Sequence, residues 1–347
     1  MTTVAHFPPQ SDAPYLVCLR AALTRRGVKT PPTPRLSFSW LWANRGRVGA
    51  LHFHWPSTHY ETGRHGPLRS GLLRGVALAL FLIKLRLAKA LGYQLIWTAH
   101  NLLPHGPHKG LYRAERRLTC RWAWDRVIAH CPAAAEAVRG LGFSGEVKVL
   151  PHGHFLDLFP PTGDRIGARE RLGLAPDAFV TLHFGAIRPY KGIEELIDAF
   201  LKVARPIDVL VIAGGGDAAT VRTLSARAGA DPRIRWMPER VPDTAVAELF
   251  EAADCVALPY RRVTTSGNLV LAMGFGKPVV VPAIGCIPHM VTPDFAATYN
   301  PGDESGLMDA LVAVRGLDPV ADSARERARG WDWDAIAAET ANLYGAP

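Results

Sequence analysis

The sequence predicts an α/β protein made of two parallel-sheet units, and three observations carry that reading. Short apolar runs alternate with helical periodicities through the first 160 residues, and the alternation restarts near residue 178. A length of 347 residues suits two domains of ordinary size, each with its own core. Glycines gather at strand-to-helix turns, most visibly in Phe184–Gly192 and Gly214–Gly216, the places where open parallel sheets present backbone to ligands.

TTVAHF (2–7) is the first strand, and a helix follows from about Pro14 to Arg26. Proline suits the helix start because its missing N–H costs nothing there, and Gly27 suits the end. Residues 31–48 are Pro-rich at first and then apolar around Leu36–Trp42. GALHFHWP (49–56) is a buried strand ending in His52, His54 and Trp55. Residues 67–91 form a long helix with Arg69, Arg74, Lys84, Arg86 and Lys89. At about 100° per residue those cations spread around the axis, so a core helix with basic ends is expected rather than one lying on a membrane. QLIWTAHN (94–101), RVIAHC (126–131) and EVKVLPHGH (146–154) are further strands with their loops, separated by helices.

Residues 157–177 connect to the second unit through a short helix. Strands at 178–184, 207–215, 233–237, 254–259 and 278–282 then alternate with helices that include 193–204, 242–253 and one from 267. Ile193, Leu196, Ile197 and Phe200 recur at i, i+3, i+4 and i+7, which places them on one helical face. The organisation read from the chain is a first domain over 1–160, a second over 161–330, and a closing helical segment over 331–347.

Composition is that of a globular chain without repeats or low-complexity tracts. Residues 1–160 carry 21 Lys/Arg and 7 Asp/Glu, a balance of +14, and 161–347 carry 19 and 24, a balance of −5, which sum to the net +9. An anionic partner of the first half is implied: a membrane surface, a phosphorylated acceptor or nucleic acid. The five cysteines form no CxxC pair, which points to a reducing compartment. MTTVAHFPPQ lacks the basic-then-apolar pattern of a signal peptide. The apolar run GVALALFLI (75–83) is about half of the roughly 20 residues a membrane span needs. No HxxxH pair or Cys/His knuckle supports a metal site among the thirteen histidines. Asp332-x-Asp334 reads as a helix N-cap.

The loop FGAIRPYKG (184–192) ends a strand and opens a helix, which aims backbone N–H groups and a positive helix end at one spot. Arg188 and Lys191 add two cations, so a phosphate is the ligand it suits, and a solvated turn is the plain alternative. The loop resembles the donor-diphosphate loop of retaining GT-B glycosyltransferases of family four: Gly185 and Lys191 keep the family's spacing, while Ala186 stands where many members have Arg. LPYRRVTTSGNLVLAMGFGKPVVVPAIGCIPHMV (258–291) resembles the same family, in a branch with SGxLxLA in place of two glutamates; Val263 and Leu271 occupy the glutamate positions.

The resemblance implies a GT-B fold, two Rossmann-like domains facing across a cleft, with acceptor bound by the first and nucleotide sugar by the second. It implies donor contacts from Gly185, Arg188, Lys191, Gly214, Gly215, Thr264, Thr265, Ser266, Gly267 and Asn268. Arg188 and Lys191 would stabilise the leaving diphosphate, and His100 would orient the reacting sugar. His52, His54, Asn101 and His105 are the acceptor-side candidates. The implied activity is metal-independent and cofactor-free transfer of a hexosyl group from a nucleotide sugar to an acceptor hydroxyl with retention, in surface polysaccharide or glycolipid assembly. The basic first half implies a lipid-linked or other anionic acceptor at the inner face of the cytoplasmic membrane. A soluble small-molecule acceptor, a sugar-nucleotide-binding pseudoenzyme and a nucleic-acid binder are the alternatives.

Overall fold

A computed structural model describes residues 2–9, 11–63, 66–67, 71–103, 109–318 and 322–345. The chain divides into two compact units, Met1–Gly153 with Asp332–Pro347, and His154–Trp331.

The N-terminal unit holds β1 (Val4–Phe7), α1 (Pro14–Arg25), α2 (Phe38–Asn44), β2 (Ala50–Phe53), α3 (Thr58–Glu61), the short strands β3 (Thr62–Gly63) and β4 (Gly66–Pro67), and α4 (Gly71–Ala90). After them come β5 (Gln94–Thr98), α5 (Lys109–Trp122), β6 (Arg126–Ala129), α6 (Pro132–Gly140) and β7 (Glu146–Val149). The main sheet runs β1-β2-β5-β6-β7, parallel throughout. Its strands read as near-continuous apolar runs because both faces are covered. The core gathers Phe7, Phe53, Phe81, Leu85, Leu95 and Trp97. Arg116 is also buried there, paired with Glu115 and lying 4.8 Å from the Trp97 ring.

In the C-terminal unit come α7 (Arg165–Arg171), β8 (Val180–Phe184), α8 (Ile193–Val203), β9 (Val209–Ala213), α9 (Ala218–Ala228), β10 (Ile234–Met237), α10 (Asp243–Ala252) and β11 (Cys255–Ala257). Then follow α11 (Gly267–Gly274), β12 (Val279–Pro282), α12 (Ile287–Met290), β13 (Ala296–Tyr299), α13 (Gly306–Ala313) and α14 (Asp322–Arg329). All six strands are parallel in the order β10-β9-β8-β11-β12-β13, so the winding reverses between β8 and β11. That reversal opens a crevice at the carboxyl ends of those two strands, the usual ligand position in such sheets. Ile193, Leu196, Ile197 and Phe200 are buried, as their spacing requires.

The last helix, α15 (Trp333–Leu343), belongs to the N-terminal unit. Asp332 caps it by accepting from Ala335 N at 2.8 Å, and Asp334 pairs with Arg25 of α1 at 2.8 Å. Just beyond it, the Tyr344 hydroxyl meets His52 Nδ1 at 2.6 Å.

The helix expected over 67–91 spans Gly71–Ala90 and is not a core helix: Leu78, Phe81, Leu85 and Ala88 face the interior, while Leu72, Leu73, Val76, Leu80 and Ile83 are exposed. The distribution of its cations says nothing about a second apolar face, which the spacing 72, 76, 80, 83 carries. The strand β13 was not foreseen, because AATY is too short and small-residue-rich to announce itself. Among the described residues no helix is long and apolar enough to cross a membrane.

In the C-terminal unit, Asp254 Oδ2 accepts from Arg169 Nη2 at 2.6 Å and from Val180 N at 2.7 Å, and its other oxygen takes Arg165, which ties α7 to the sheet. Asp254→Ala would leave the 5 % exposed Arg169 guanidinium without its ion-pair partner. We expect a loss of about 3–5 kcal/mol in denaturant unfolding of that unit, and a loss under about 1 kcal/mol would contradict the assignment.

Candidate active site

At the end of β8 the chain turns through Gly185, whose φ is +120°. A Cβ there would sit 2.3 Å from Asn268 Nδ2, which donates to the Phe184 carbonyl at 2.7 Å. Gly214, at φ +144°, abuts the Gly185 carbonyl, with 2.1 Å left for a Cβ. Gly192 is left-handed and lies against the Pro259 carbonyl, with 1.9 Å left. These contacts lock the loops after β8, β9 and β11 and the start of α11 into one block. The glycine at 214 is therefore explained by loop-on-loop packing, and no ligand is needed to account for it.

Lys191 ends the one-turn 3-10 helix Pro189–Lys191 and is half-buried. Its Nζ donates to the Tyr260 hydroxyl at a long 3.4 Å and lies 4.5 Å from that ring. Burial lowers its pKa. Among the described residues no carboxylate ion-pairs with it, so the ammonium is desolvated and poorly compensated, the state that attracts an anion. Tyr260 passes the network on to Ser266 Oγ at 2.7 Å, and Ser266 caps α11 by accepting from Leu269 N at 3.1 Å. The amides of Gly267 and Asn268, in the first turn of α11, have no protein acceptor among the described residues.

The remaining donor-side candidates are placed less directly. Arg188 is exposed and turns to Asp217 Oδ2 at 3.5 Å, a weak pair between two half-exposed groups that a ligand can displace. Ser266 spends its hydroxyl on Tyr260 and the helix cap. Thr265 Oγ1 faces Met290 Sδ at 3.9 Å, and the Thr264 carbonyl accepts from Cys286 N at 2.8 Å. A Cβ on Gly215 would lie 3.5 Å from Arg240 N, an ordinary contact. Leu271, at one of the family's glutamate positions, is buried inside α11. Lys277 is structural: it is buried and donates to the Ala253 carbonyl at 2.9 Å. Sequence reasoning missed Tyr260 and His183. His183 donates from Nδ1 to the Ala257 carbonyl at 2.9 Å, while its Nε2 is buried with no partner. The charge of Lys191 adds to burial in lowering its pKa to about 4.

The N-terminal unit carries a second constellation. Every strand of its main sheet delivers a histidine at or just beyond its carboxyl end: His6, His54, His100, His130 and His152. Four of them form a chain, His6 Nδ1 to His54 Nε2 at 3.1 Å, His54 Nδ1 to His100 Nε2 at 3.1 Å, and His100 Nδ1 to His130 Nε2 at 3.0 Å. His130 Nδ1 meets the Leu150 carbonyl at 3.1 Å. A carbonyl only accepts, so His130 carries its proton on Nδ1, and each neutral ring in turn must do the same. The row therefore has one polarity and ends in a bare lone pair at His6 Nε2, which is buried without a partner. Tyr15 packs edge-on against His100 at 4.4 Å, and Trp55 stacks on the same ring at 4.8 Å.

The acceptor-side assignments change accordingly. Both nitrogens of His52 are spent, on Tyr344 and on Thr98 Oγ1 at 2.7 Å, so it ties the last helix to the sheet. Both nitrogens of His54 and of His100 lie within the row, so neither ring reaches a substrate in this conformation. Asn101 is partly exposed just past β5. His105 lies outside the described residues. His6, His52 and His54 bring ring nitrogens within 4.8 Å of one another. Only His6 Nε2 has a lone pair unspent, so we read the cluster as a hydrogen-bond network rather than a metal centre. The recurrence VAHF, HFHW, TAHN, IAHC and LPHG is the signal that could have revealed the row.

Residues 178–315 match the family model "Glycosyl transferases group 1". A "GDP-mannose:glycolipid 4-beta-D-mannosyltransferase" of Xanthomonas campestris pv. campestris is 31 % identical, over 88 % of this chain and 80 % of that protein. The chain is a group 1 glycosyltransferase. A "D-inositol 3-phosphate glycosyltransferase" of Actinosynnema mirum is 31 % identical over 64 % of this glycosyltransferase and 57 % of that protein. Among solved structures, sucrose-phosphate synthase from Thermosynechococcus elongatus superposes with a TM-score of 0.77 at 18 % identity, covering 99 % and 98 % of the two chains. Anabaena HepE in complex with UDP gives 0.74 at 18 % identity, covering 99 % and 100 %. These similarities place the glycosyltransferase in the GT-B fold.

Two predictions follow from the geometry. Gly185→Ala would combine a strained φ with the Asn268 clash, and we expect a loss of about 1–3 kcal/mol in denaturant unfolding of the C-terminal unit. Burial lowers the pKa of His52 and His152 to about 3 and of His130 to about 4, and it holds His6, His54 and His100 well below their ordinary value. An unfolded histidine titrates near 6.5, so unfolding takes up protons below that pH. Stability is full above about pH 6.5 and falls toward pH 4, by about 1.4 kcal/mol per pH unit for each such histidine. Thermal melts from pH 8 to 5 should show that decline, and a flat profile would contradict the neutral, buried row.

Proposed function

We propose that this glycosyltransferase moves a mannosyl residue from GDP-mannose to a hydroxyl of a lipid-linked saccharide. The observation that carries the transfer chemistry is Lys191, a desolvated ammonium without a carboxylate partner at the β8/β11 reversal, joined through Tyr260 and Ser266 to the open end of α11. As the bond from C1 to the diphosphate oxygen breaks, negative charge grows on the leaving diphosphate. Lys191, Arg188 once it releases Asp217, and the amides of Gly267 and Asn268 are the groups suited to receive it. The donor and acceptor classes rest on the name of the Xanthomonas relative, whose similarity covers both units.

The anomeric course divides two lines of argument. Resemblance of the loop motifs implies retention, which would give an α-mannoside. The relative is named for a β-linked product, and GDP-mannose is an α-glycosyl diphosphate, so a β-product requires inversion. We carry inversion to this chain because the 31 % identity extends over 88 % of it, whereas retention rests on the motifs alone. Inversion requires a base for the acceptor proton. The histidine row does not supply it: His6 Nε2, the lone pair at its end, is buried, and burial holds each ring of the row below its ordinary pKa. Peripheral attachment to the inner membrane face accompanies the lipid-linked acceptor in this reading.

The test is turnover of GDP-mannose with a lipid-linked saccharide acceptor by wild type and Lys191→Ala. We expect a fall in kcat of about 10²–10³-fold in the variant and a product released by β- but not α-mannosidase. An α-linked product would restore retention. Binding of GDP-mannose without transfer to any lipid-linked acceptor would favour a soluble acceptor, and no binding would remove the donor assignment.

A further inference from the structure

The transfer chemistry leaves two features of the N-terminal unit unused. One is a cavity of about 290 Å3 beside β1, lined among others by Pro9, Arg35, Leu36, Thr58, His59 and Lys84. The other is the exposed apolar face of α4.

The cavity is electropositive and has an unmet polar group. Burial lowers the pKa of Lys84, and no carboxylate is ranged against it among the described residues. The charges of Lys84 and Arg35 both act on His59, which burial and those charges hold neutral down to about pH 3. The His59 ring is fixed by stacking on Phe81 at 4.8 Å with a 7° interplanar angle, and its Nε2 is buried without a partner. Two cations and a neutral imidazole, which can present an N–H, suit an oxyanion. The volume lies at the lower end of ligand pockets, about 300 Å3, and suits a phosphate or diphosphate group better than a whole nucleotide sugar.

The helix that supplies Lys84 identifies the rest of the ligand. Leu72, Val76, Leu80 and Ile83 recur at intervals of four, four and three and are 79 %, 51 %, 43 % and 52 % exposed. Lys84 lies four residues beyond Leu80, so the cation and the leucine face adjoin. A continuous apolar face bordered by cations matches a hydrocarbon chain that ends in an anionic head.

We propose that this cavity is the phosphate subsite for a lipid-linked acceptor, with Arg35 and Lys84 neutralising the phosphate beside the His59 ring, and the hydrocarbon lying along Leu72, Val76, Leu80 and Ile83. The assignment deepens the lipid-linked acceptor reading above and rests on it. Neither Arg35 nor Lys84 belongs to the donor site.

The full chain should be co-sedimented with phosphatidylcholine vesicles containing a polyprenyl phosphate, the matching polyprenol, or phosphatidylglycerol. We expect the polyprenyl phosphate to be preferred over the polyprenol by about tenfold or more. The double variant Arg35→Gln/Lys84→Gln should abolish that preference, while Lys84→Arg, which keeps the charge, should retain it and exclude a folding defect. Leu80→Ser/Ile83→Ser should weaken attachment to all vesicles without changing thermal protection by inorganic pyrophosphate. Equal binding to polyprenol and polyprenyl phosphate, or a preference untouched by the double variant, overturns the subsite. Equal binding to phosphatidylglycerol reduces it to surface charge and also overturns it. Inorganic pyrophosphate bound as tightly as the vesicles overturns the lipid assignment. Thermal protection by GDP-mannose, measured on the same samples, reads the donor site separately, so its absence would count against the proposed donor and leave the vesicle result standing.

Discussion

The C-terminal unit is organised around an ammonium group held partly out of water with no carboxylate to meet it. Removing an ion from water is costly, and proteins normally compensate with an opposite charge. Among the described residues Lys191 has only a long contact to a neutral hydroxyl and the faces of two tyrosine rings. The surrounding packing is what holds it there. Gly185, Gly192 and Gly214 bring three loops closer than any side chain permits, and Asn268 and Ser266 fasten those loops to the start of α11. In the donor role proposed for it, a site assembled before its ligand arrives would need little rearrangement as charge develops on a leaving diphosphate.

The N-terminal unit presents polar groups at the same edge of its sheet by a different device. Five parallel strands in sequential order set their carboxyl ends side by side, so one histidine from each of β1, β2, β5 and β6 yields a continuous row. The Leu150 carbonyl at one end fixes the polarity of the whole row, because each neutral ring has a single proton to give. Burial then makes the row dependent on neutrality. A charge brought into it is tolerated best where a carbonyl already faces a ring, which is His130.

Much of this was legible in the sequence, and the parts that were not have physical reasons. Periodicity found the α8 face and the restart of the α/β pattern because those signals are local. The Lys191 loop was legible because strand, glycine and cation follow one another along the chain. The roles of Tyr260 and His183 were not, since each depends on a neighbour brought from another strand. The histidine row is the clearest case: His6 and His130 lie far apart in sequence, and only the sheet order makes them ends of one chain. His52 shows the converse, a strand-end residue that looked available for an acceptor and proves to be bound to Tyr344 and Thr98.

The uneven charge of the chain also acquires a structural basis. An arginine-rich composition alone would scatter cations over both units, yet residues 1–160 hold +14 and the remainder −5. On α5, Arg113, Arg117 and Arg121 are exposed and recur every fourth residue, which aligns them along one face, while Arg116 turns inward to Glu115. An aligned exposed row is where like charges repel most, so it carries a cost the fold does not need. An anionic surface facing that row would remove the repulsion, more weakly as salt rises, because exposed charges are screened within about 10 Å at 0.1 M. Apolar contact is not screened in that way. Under the lipid-linked acceptor proposed above, the exposed leucines of α4 and the arginines of α5 would divide the work of attachment, with charge setting the approach and the apolar face setting how long the protein stays.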